Sequence, residues 1–313
     1  MPNESLLKPK RIVVIGAGEV GSTTAYTLLL RNRADEIVLI DVAKDKALGD
    51  ALDMSHGIPF VGGVKVWAGT YADCATADLI IITAGTAQHP GETRQDLLGR
   101  NSSIISQIVK EVTTYNHTGI LLMATNPVDV LTYLAWKVSG WDASKVIGSG
   151  TLLDSARFRY LIGTKLSVDP RSVHAHIVGE HGDTELPVWS RANITGVPID
   201  INAEERELIF QQTKQAAYQI IEAKGYTSYA IALALDRICT AILSNEHAVL
   251  SVSSLLQDYH GISDVYLGVP CVIGRSGIER VIDLGPSNEE LQMLQRSAKA
   301  LRERIDWVMD TIR

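Results

Sequence analysis

Short apolar segments alternate with longer amphipathic segments through the first half of the chain. The apolar segments have the length of buried parallel strands and occupy residues 11–15, 36–40, 79–84, 119–124 and 146–148, with a short extended segment at 64–68. Segments with helical periodicity separate them, at residues 22–30, 44–57, 101–116 and 128–139. This alternation predicts a doubly wound parallel sheet covered by helices, whose ligands lie beyond the carboxyl ends of the strands.

The second half of the chain has a different pattern, in which strands and long helices no longer alternate regularly. Helices are predicted at residues 152–166, 203–223, 228–243 and 288–312. Extended segments are predicted at residues 173–178, 187–194, 197–199, 249–256 and 265–273. This grouping is typical of an α+β arrangement.

A glycine-rich turn joins the first predicted strand to the first helix. Gly16, Gly18 and Gly21 have the G-x-G-x-x-G spacing, in which glycine allows a sharp turn, a close approach to a pyrophosphate and close helix packing. The helix N-terminus then faces the phosphates. Asp41 follows the second strand, where its carboxylate can bind the adenosine ribose hydroxyls and would repel a 2′-phosphate. These features predict bound NAD rather than NADP.

The two patterns together predict two domains. We expect an NAD-binding Rossmann domain, an α/β doubly wound parallel sheet, over residues 1–148. An α+β catalytic domain is expected over residues 149–313. No flexible linker or internal repeat separates the two, so we expect them to be firmly joined near residues 148–151.

Composition and charge argue against several classes of protein. A hydrophobic fraction of 46% and a charged fraction of 21% over 313 residues are ordinary for a globular protein. The net charge of −7 and the absence of basic clusters argue against nucleic-acid or membrane partners. The first ten residues contain no apolar signal segment, and Cys74, Cys239 and Cys271 are spaced as reduced thiols rather than metal ligands. We therefore expect a cytoplasmic protein without a metal.

Three residues of the second half have side chains suited to chemistry at the nicotinamide. His181 lies between glycines after a predicted strand and can exchange a proton near neutral pH. Asp154 can orient the histidine ring and favour its charged form. Arg157 lies one helical turn from Asp154 and can bind a substrate carboxylate, although the two residues also fit a simple surface ion pair.

Five motifs of the chain resemble the lactate/malate dehydrogenase family, and the similarity extends from about residue 10 to the C-terminus. The motifs occupy residues 83–85, 90–94, 125–129, 153–159 and 179–190. The resemblance implies reversible hydride transfer between NADH and a 2-oxo acid. His181 is then the proton donor, Asp154 its orienting partner and Arg157 the carboxylate anchor. The implied NAD-binding residues are Gly16, Gly18, Val20, Gly21, Asp41, Thr83, Ala84, Gly85 and Asn126.

The same resemblance implies further substrate contacts. Arg94 ends a loop, residues 85–95, that closes over the substrate and polarises its carbonyl group. Asn126 matches a residue that bonds the substrate and histidine region, and its bond to Pro127 is a candidate cis peptide. Thr227 matches a threonine of the substrate pocket, although it also fits the N-cap of the following helix.

Gln88 is implied to determine substrate specificity, because it lies six residues before Arg94, at a position where malate dehydrogenases carry an arginine. A neutral amide cannot pair the second carboxylate of oxaloacetate, and a buried unpaired charge is costly. The residue therefore favours pyruvate and L-lactate, so that the expected activity is that of an L-lactate dehydrogenase in fermentative regeneration of NAD.

Arg159 and His174 match positions that bind fructose 1,6-bisphosphate at a subunit interface in allosteric bacterial relatives. Arg159 points about 200° away from Arg157 around the helix, so it is available for a second site. His174 and His176 share one face of a predicted strand, which also fits a simple polar strand face. The resemblance implies a homotetramer that responds to this effector.

Three other interpretations remain open. The first is a malate or branched 2-hydroxy-acid dehydrogenase of the same family. The second is a metal-dependent hydrolase that uses His174, His176, His181 and Asp183, although these residues do not form a convincing ligand set. The third is a catalytically silent dinucleotide-binding protein, which the presence of all the expected chemical residues disfavours.

Overall fold

The structure is a computed structural model that describes residues 8–86 and 93–311, apart from the side chain of Arg94. The strands in this part of the chain are β1 (Arg11–Ile15), β2 (Glu36–Ile40), β3 (Lys65–Ala68), β4 (Leu79–Ile82), β5 (Ile120–Met123), β6 (Val146–Gly148), β7 (Val173–His174), β8 (Ile177–Val178), β9 (Leu186–Pro187), β10 (Asn193–Ile194), β11 (Val197–Pro198), β12 (Ala248–Leu256), β13 (Val265–Gly274) and β14 (Gly277–Val281). The α-helices are α1 (Glu19–Leu30), α2 (Lys44–Val61), α3 (Arg94–Tyr115), α4 (Val128–Ser139), α5 (Leu152–Leu166), α6 (Ala203–Lys224), α7 (Tyr229–Leu243) and α8 (Asn288–Thr311).

Six parallel strands form the centre of the main sheet, in the order β3-β2-β1-β4-β5-β6. This is the strand order of a dinucleotide-binding Rossmann fold. The strands are almost entirely apolar and buried, since every residue of β2, β4 and β5 is buried. A sheet buried on both faces needs continuous apolar strands, and the first half of the sequence supplies them. The predicted fold class is confirmed.

The same sheet continues into the second half of the chain. Strands β12, β13 and β14 add to it in antiparallel fashion beyond β6, so that nine strands form one sheet. The junction is the pairing of Gly148 in β6 with Ser253 in β12. A second link joins the helices of the two halves, because the buried Asp236 of α7 accepts a 2.8 Å hydrogen bond from Nε of Arg33, just after α1.

A smaller core lies between α5, α6 and two small sheets. It contains Phe158 and Ile162 of α5, Ile177 of β8, and Ile209 and Phe210 of α6. One small sheet has the order β11-β10-β7, and the other pairs β8 with β9. The single extended segment predicted for residues 173–178 is wrong, because β7 and β8 pair with different partners and belong to different sheets.

Two helix boundaries and one strand also differ from the sequence prediction. Helix α3 begins at Arg94 rather than at residue 101, because Thr93 and Asp96 form a capping box that satisfies the free N–H groups of the first turn. Helix α2 continues to Val61, past the predicted end at residue 57. Strand β14 was not predicted, because Glu279 and Arg280 are exposed on this edge strand and interrupt its apolar pattern. Within residues 8–86 and 93–311, no helix combines the length and apolar character needed to cross a bilayer.

Candidate active site

The glycine-rich turn after β1 is shaped by close backbone contacts at its first and third glycines. Gly16 has a φ of +105°, and a Cβ atom there would lie 2.5 Å from the backbone N of Ala84. A Cβ atom on Gly21 would lie 1.8 Å from the carbonyl oxygen of Gly16. Gly18 is different, because a Cβ atom there would meet no atom within 4 Å. The turn is therefore tightly packed against Thr83 and Ala84, just after β4, but open at Gly18.

Gly18 is also the N-cap of α1, with no side chain capping the helix. Free backbone N–H groups at a helix N-terminus attract phosphate. Val20 lies half-buried in the first turn of the same helix. The open space at Gly18 together with this helix end fits the pyrophosphate of a dinucleotide.

Asp41, at the end of β2, is bonded to the same turn. Its Oδ2 accepts a 2.6 Å hydrogen bond from the backbone N–H of Ala17, and its Oδ1 accepts a 2.8 Å hydrogen bond from Ala43. The carboxylate thus holds the turn, and its remaining lone pairs stay able to accept ribose hydroxyl groups. The structure shows the first role, and ribose binding stays a prediction.

The ends of β4 and β5 lie beside this turn. Thr83 donates a 2.8 Å hydrogen bond from Oγ1 to the carbonyl of Gly16, and Thr125 donates one of 2.7 Å to the carbonyl of Ala84. Nδ2 of Asn101 donates a 3.2 Å hydrogen bond to the carbonyl of Asn126. The remaining predicted residues are placed in the same region, with Gly85 exposed after β4, the Asn126 side chain exposed after β5, and the Asn126–Pro127 bond cis, as predicted.

His181 and Asp154 form a directly hydrogen-bonded pair in the site. Nδ1 of His181 lies 2.5 Å from Oδ2 of Asp154, which is buried at 3% exposure on α5. The other carboxylate oxygen of Asp154 accepts a 3.0 Å hydrogen bond from Nη1 of Arg157. Because Nδ1 faces Asp154, Nε2 is the nitrogen of His181 that is available to a substrate. The alternative of a simple surface ion pair is not supported, because Asp154 and Arg157 do form an ion pair but only 14% of the Arg157 side chain is exposed.

Charge stabilises the protonated form of His181. Burial by itself would lower the pKa of His181, but the carboxylate of Asp154 outweighs burial and raises the pKa to about 9. Burial would raise the pKa of Asp154, yet the charges of His181 and Arg157 lower it. The pair is therefore an imidazolium beside a carboxylate at neutral pH.

A second buried carboxylate holds the backbone of His181. Asp129 of α4 accepts a 2.8 Å hydrogen bond from the backbone N–H of His181 and a 2.5 Å hydrogen bond from Oγ of Ser253. Burial raises the pKa of Asp129 to about 6, although these two hydrogen bonds lower it in part. Since α4 starts directly after β5, Asp129 fixes the histidine loop at the carboxyl end of the parallel sheet.

Glu185 is the third carboxyl group of the site. Its side chain is buried, and burial raises its pKa to about 8, with the charge of Asp154 acting in the same direction. Glu185, Asp154 and His181 each place a polar atom within 4.8 Å of the others. Among the described residues this is the one group with metal-ligand spacing, so the four residues of the hydrolase interpretation do not form a site. The sequence did not indicate roles for Asp129 and Glu185, although Asp129 lies in the motif at residues 125–129 and Glu185 in the motif at residues 179–190.

The structure does not describe the side chains of two predicted substrate residues, Gln88 and Arg94. Gln88 lies outside the described residues, and only the backbone of Arg94 is described, at the first residue of α3. Thr227 is half-buried just before α7. Its interpretation as an N-cap is wrong, because Ser228 is the N-cap of α7.

The two predicted effector residues lie on α5 and on β7. Nε of Arg159 donates a 2.9 Å hydrogen bond to the carbonyl of Ala175, and burial lowers the pKa of Arg159. His174 is exposed next to this position in the chain. Burial and the nearby charges of Arg159 and His174 lower the pKa of His176 to about 4. The structure thus gathers three basic side chains, those of Arg159, His174 and His176.

Known proteins share both halves of this arrangement. Residues 10–148 match the family described as lactate/malate dehydrogenase, NAD binding domain, and residues 151–312 match lactate/malate dehydrogenase, alpha/beta C-terminal domain. An L-lactate dehydrogenase of Acetivibrio thermocellus is 50% identical over 303 residues, which is 94% of this chain and 96% of that protein. An L-lactate dehydrogenase of Priestia megaterium is 50% identical over 307 residues, 96% of each chain.

Solved structures agree with these sequence matches. The ligand-bound crystal structure of the minor L-lactate dehydrogenase from Enterococcus mundtii superposes with a TM-score of 0.94 at 43% identity, covering 96% of this chain and 99% of that one. The fold and the matched families together define an NAD-dependent oxidoreductase of 2-hydroxy acids. The chain belongs to the lactate/malate dehydrogenase family. The prediction of NAD as the cofactor is confirmed.

The contrast between Gly18 and Gly21 gives a testable prediction. Gly21→Ala should destabilise the protein by more than about 1 kcal/mol, because its Cβ would overlap the Gly16 carbonyl. Gly18→Ala should leave thermal stability unchanged without NADH, since its Cβ meets open space, yet weaken NADH binding at least about tenfold by crowding the pyrophosphate. Thermal unfolding and NADH fluorescence titration measure the two effects. Equal losses of stability in both variants would contradict this account of the turn.

Proposed function

We propose that the protein is an L-lactate dehydrogenase, which reduces pyruvate to L-lactate with NADH and so regenerates NAD in fermentation. The observation that carries the proposal is the double role of the Asp154 carboxylate, which binds the ring of His181 through one oxygen and the guanidinium of Arg157 through the other. One buried group therefore fixes the distance between a proton donor and a carboxylate anchor. Reduction of a small 2-oxo acid needs both the proton donor and the carboxylate anchor. Relatives at 50% identity carry the name L-lactate dehydrogenase.

The chain's own residues bind and orient the substrate and move the proton. Arg157 binds the substrate carboxylate through the guanidinium nitrogens that Asp154 leaves free. His181 then donates the proton on Nε2 to the 2-oxo oxygen, and Asp154 stabilises the imidazolium before transfer and keeps its orientation. Bound NADH supplies the hydride. In the reverse direction, neutral His181 accepts the hydroxyl proton of L-lactate.

Other residues of the proposed mechanism come from both halves of the chain. Arg94, at the end of the closing loop, polarises the carbonyl and excludes water, while Asn126 and Thr227 contact the substrate. We assign NAD binding to a domain of residues 1–148 and substrate binding to a domain of residues 149–313, because Asp154, Arg157 and His181 all follow residue 148. The buried, free thiols of Cys74, Cys239 and Cys271 support a place in the reducing cytoplasm.

We also propose a homotetramer that binds fructose 1,6-bisphosphate at Arg159 and His174. Arg159 supplies positive charge, and the exposed His174 offers ring nitrogens that can bond a phosphate. Helix α2 separately exposes Leu48 and Leu52, one turn apart, together with Phe60 at 89% exposure. An apolar helix face of this kind fits burial between subunits.

The raised pKa of His181 predicts opposite pH dependences for the two directions. Pyruvate reduction needs protonated His181, so its kcat should stay level below the pKa of about 9 and fall above it. L-lactate oxidation needs neutral His181, so its rate should rise as the pH approaches that pKa.

Substitution of the pair gives a further prediction. Asp154→Asn should move the fall of pyruvate reduction to lower pH. His181→Ala should reduce turnover by ~10² to 10⁴-fold while NADH still binds. Near-normal turnover by His181→Ala would exclude the assigned proton donor.

Gln88 gives a prediction about specificity, including the alternative of a malate dehydrogenase. Wild type should prefer pyruvate over oxaloacetate and 2-oxoisocaproate. Gln88→Arg should raise the kcat/KM ratio of oxaloacetate to pyruvate by roughly 10³-fold, because its guanidinium pairs the second carboxylate and faces the methyl group of pyruvate unpaired. Gln88→Asn is the control, since it keeps a neutral amide. A ratio that changes less than about tenfold would mean that Gln88 does not contact the substrate.

The effector proposal predicts that fructose 1,6-bisphosphate shifts assembly and kinetics together. The bisphosphate should favour the tetramer in sedimentation and lower the pyruvate concentration for half-maximal rate by about fivefold or more, because it binds the two assembly states differently. Arg159→Gln should remove both responses. Arg280→Gln, on the edge strand β14, should keep both. Identical sedimentation and rates with and without the effector would contradict the proposal.

A further inference from the structure

The carboxyl group of Glu185 is buried beside the proton-transfer pair and has no part in the mechanism above. Only 5% of the residue is exposed. Its Oε1 atom has no hydrogen-bond partner among the described residues, whereas both oxygens of Asp154 are bonded. A buried carboxylate oxygen without a partner carries a large desolvation cost, and that cost falls when the group binds a proton.

The charges around Glu185 show which carboxyl group keeps the proton. Asp154 and Arg157 face it from α5, His181 from its own loop, and Lys214 from α6. Asp154 bonds directly to two cationic groups, His181 and Arg157. Two carboxylates within 4.8 Å of each other repel, and the one with direct cationic partners stays charged. The geometry therefore places the negative charge on Asp154 and the proton on Glu185.

We propose that Glu185 is a positioning residue of the proton-transfer site, held as the neutral acid at neutral pH, whose ionisation in alkaline solution adds a negative charge beside His181. The site then has two charge states. With Glu185 neutral, Asp154, His181 and Arg157 carry one net positive charge, which matches the single negative charge of a 2-oxo monocarboxylate. With Glu185 ionised, these four side chains have no net charge, so the substrate anion binds less well. The proposal rests on the proposed function for its substrate.

Ionised Glu185 also affects the proton on His181. Its negative charge is one of the causes that raise the pKa of His181. In the pH range where Glu185 loses its proton, His181 therefore holds its own proton more strongly. Glu185 couples two properties of the site: it weakens binding of the anionic substrate while it keeps the proton donor charged.

The first test measures His181 directly, without substrate. We expect NMR titration of ¹⁵N-histidine-labelled protein to give a pKa of His181 lower by about one unit or more in Glu185→Gln than in wild type, because the amide cannot ionise. His181→Gln assigns the signal. Glu207→Gln, on the exposed surface of α6, is the matched control and should leave the His181 pKa unchanged. An unchanged pKa in Glu185→Gln would overturn the proposal.

The second test uses pyruvate kinetics between about pH 7 and 9. The KM of wild type should rise above about pH 8 as Glu185 ionises, whereas the KM of Glu185→Gln should stay level over the same range. Glu185→Asp retains an ionisable carboxyl group and should restore the rise. Lower activity in Glu185→Gln with a wild-type pH profile would show a merely structural residue and overturn the proposal. An NMR shift without any pyruvate reduction would contradict the proposed function and support the coupling of Glu185 to His181.

Discussion

The site depends on a single buried carboxylate, that of Asp154. Such a charge is stable in the interior only when it has close cationic partners, and here these partners are His181 and Arg157, the two groups to which the proposed mechanism assigns proton transfer and carboxylate binding. The partners are therefore held by the cost of leaving Asp154 unpaired. Removal of either partner would leave the buried carboxylate of Asp154 with one cationic partner instead of two. The electrostatic requirement of the fold and the geometry required for proton transfer are met by the same contacts.

The backbone around this carboxylate is fixed from the other half of the chain. Asp129, in the first turn of α4, accepts hydrogen bonds from the N–H group of His181 and the hydroxyl of Ser253. Helix α4 begins at the end of β5, where Asn126 and the turn around Gly16 also lie near the strand ends. The proton donor is consequently positioned relative to the dinucleotide turn through the parallel sheet. Rigid strands hold such distances better than a flexible loop would.

The sequence was sufficient to predict the parallel sheet and the catalytic pair, but not the whole site. Strands buried on both faces are continuous apolar segments, so β1, β2 and β5 are visible in the sequence. His181 and Asp154 were suggested by side-chain chemistry and family motifs. Glu185 could not be assigned a role, because its burial and its unbonded oxygen arise from packing against other helices, and an acidic residue in a loop is usually solvated. Edge strand β14 was not predicted for a related reason, because a partly exposed strand lacks the continuous apolar segment of a buried one.

The pairing of Gly148 with Ser253 has a consequence for the stability of the two halves. Because β12 completes the edge of β6, separating the halves would expose the unpaired backbone of a central strand and the apolar faces that α4 and β13 share. The halves therefore belong to one cooperative unit, and local opening is confined to segments outside the nine-stranded sheet. The hydrogen-exchange protection of the sheet, and with it the position of His181, is therefore maintained across both halves.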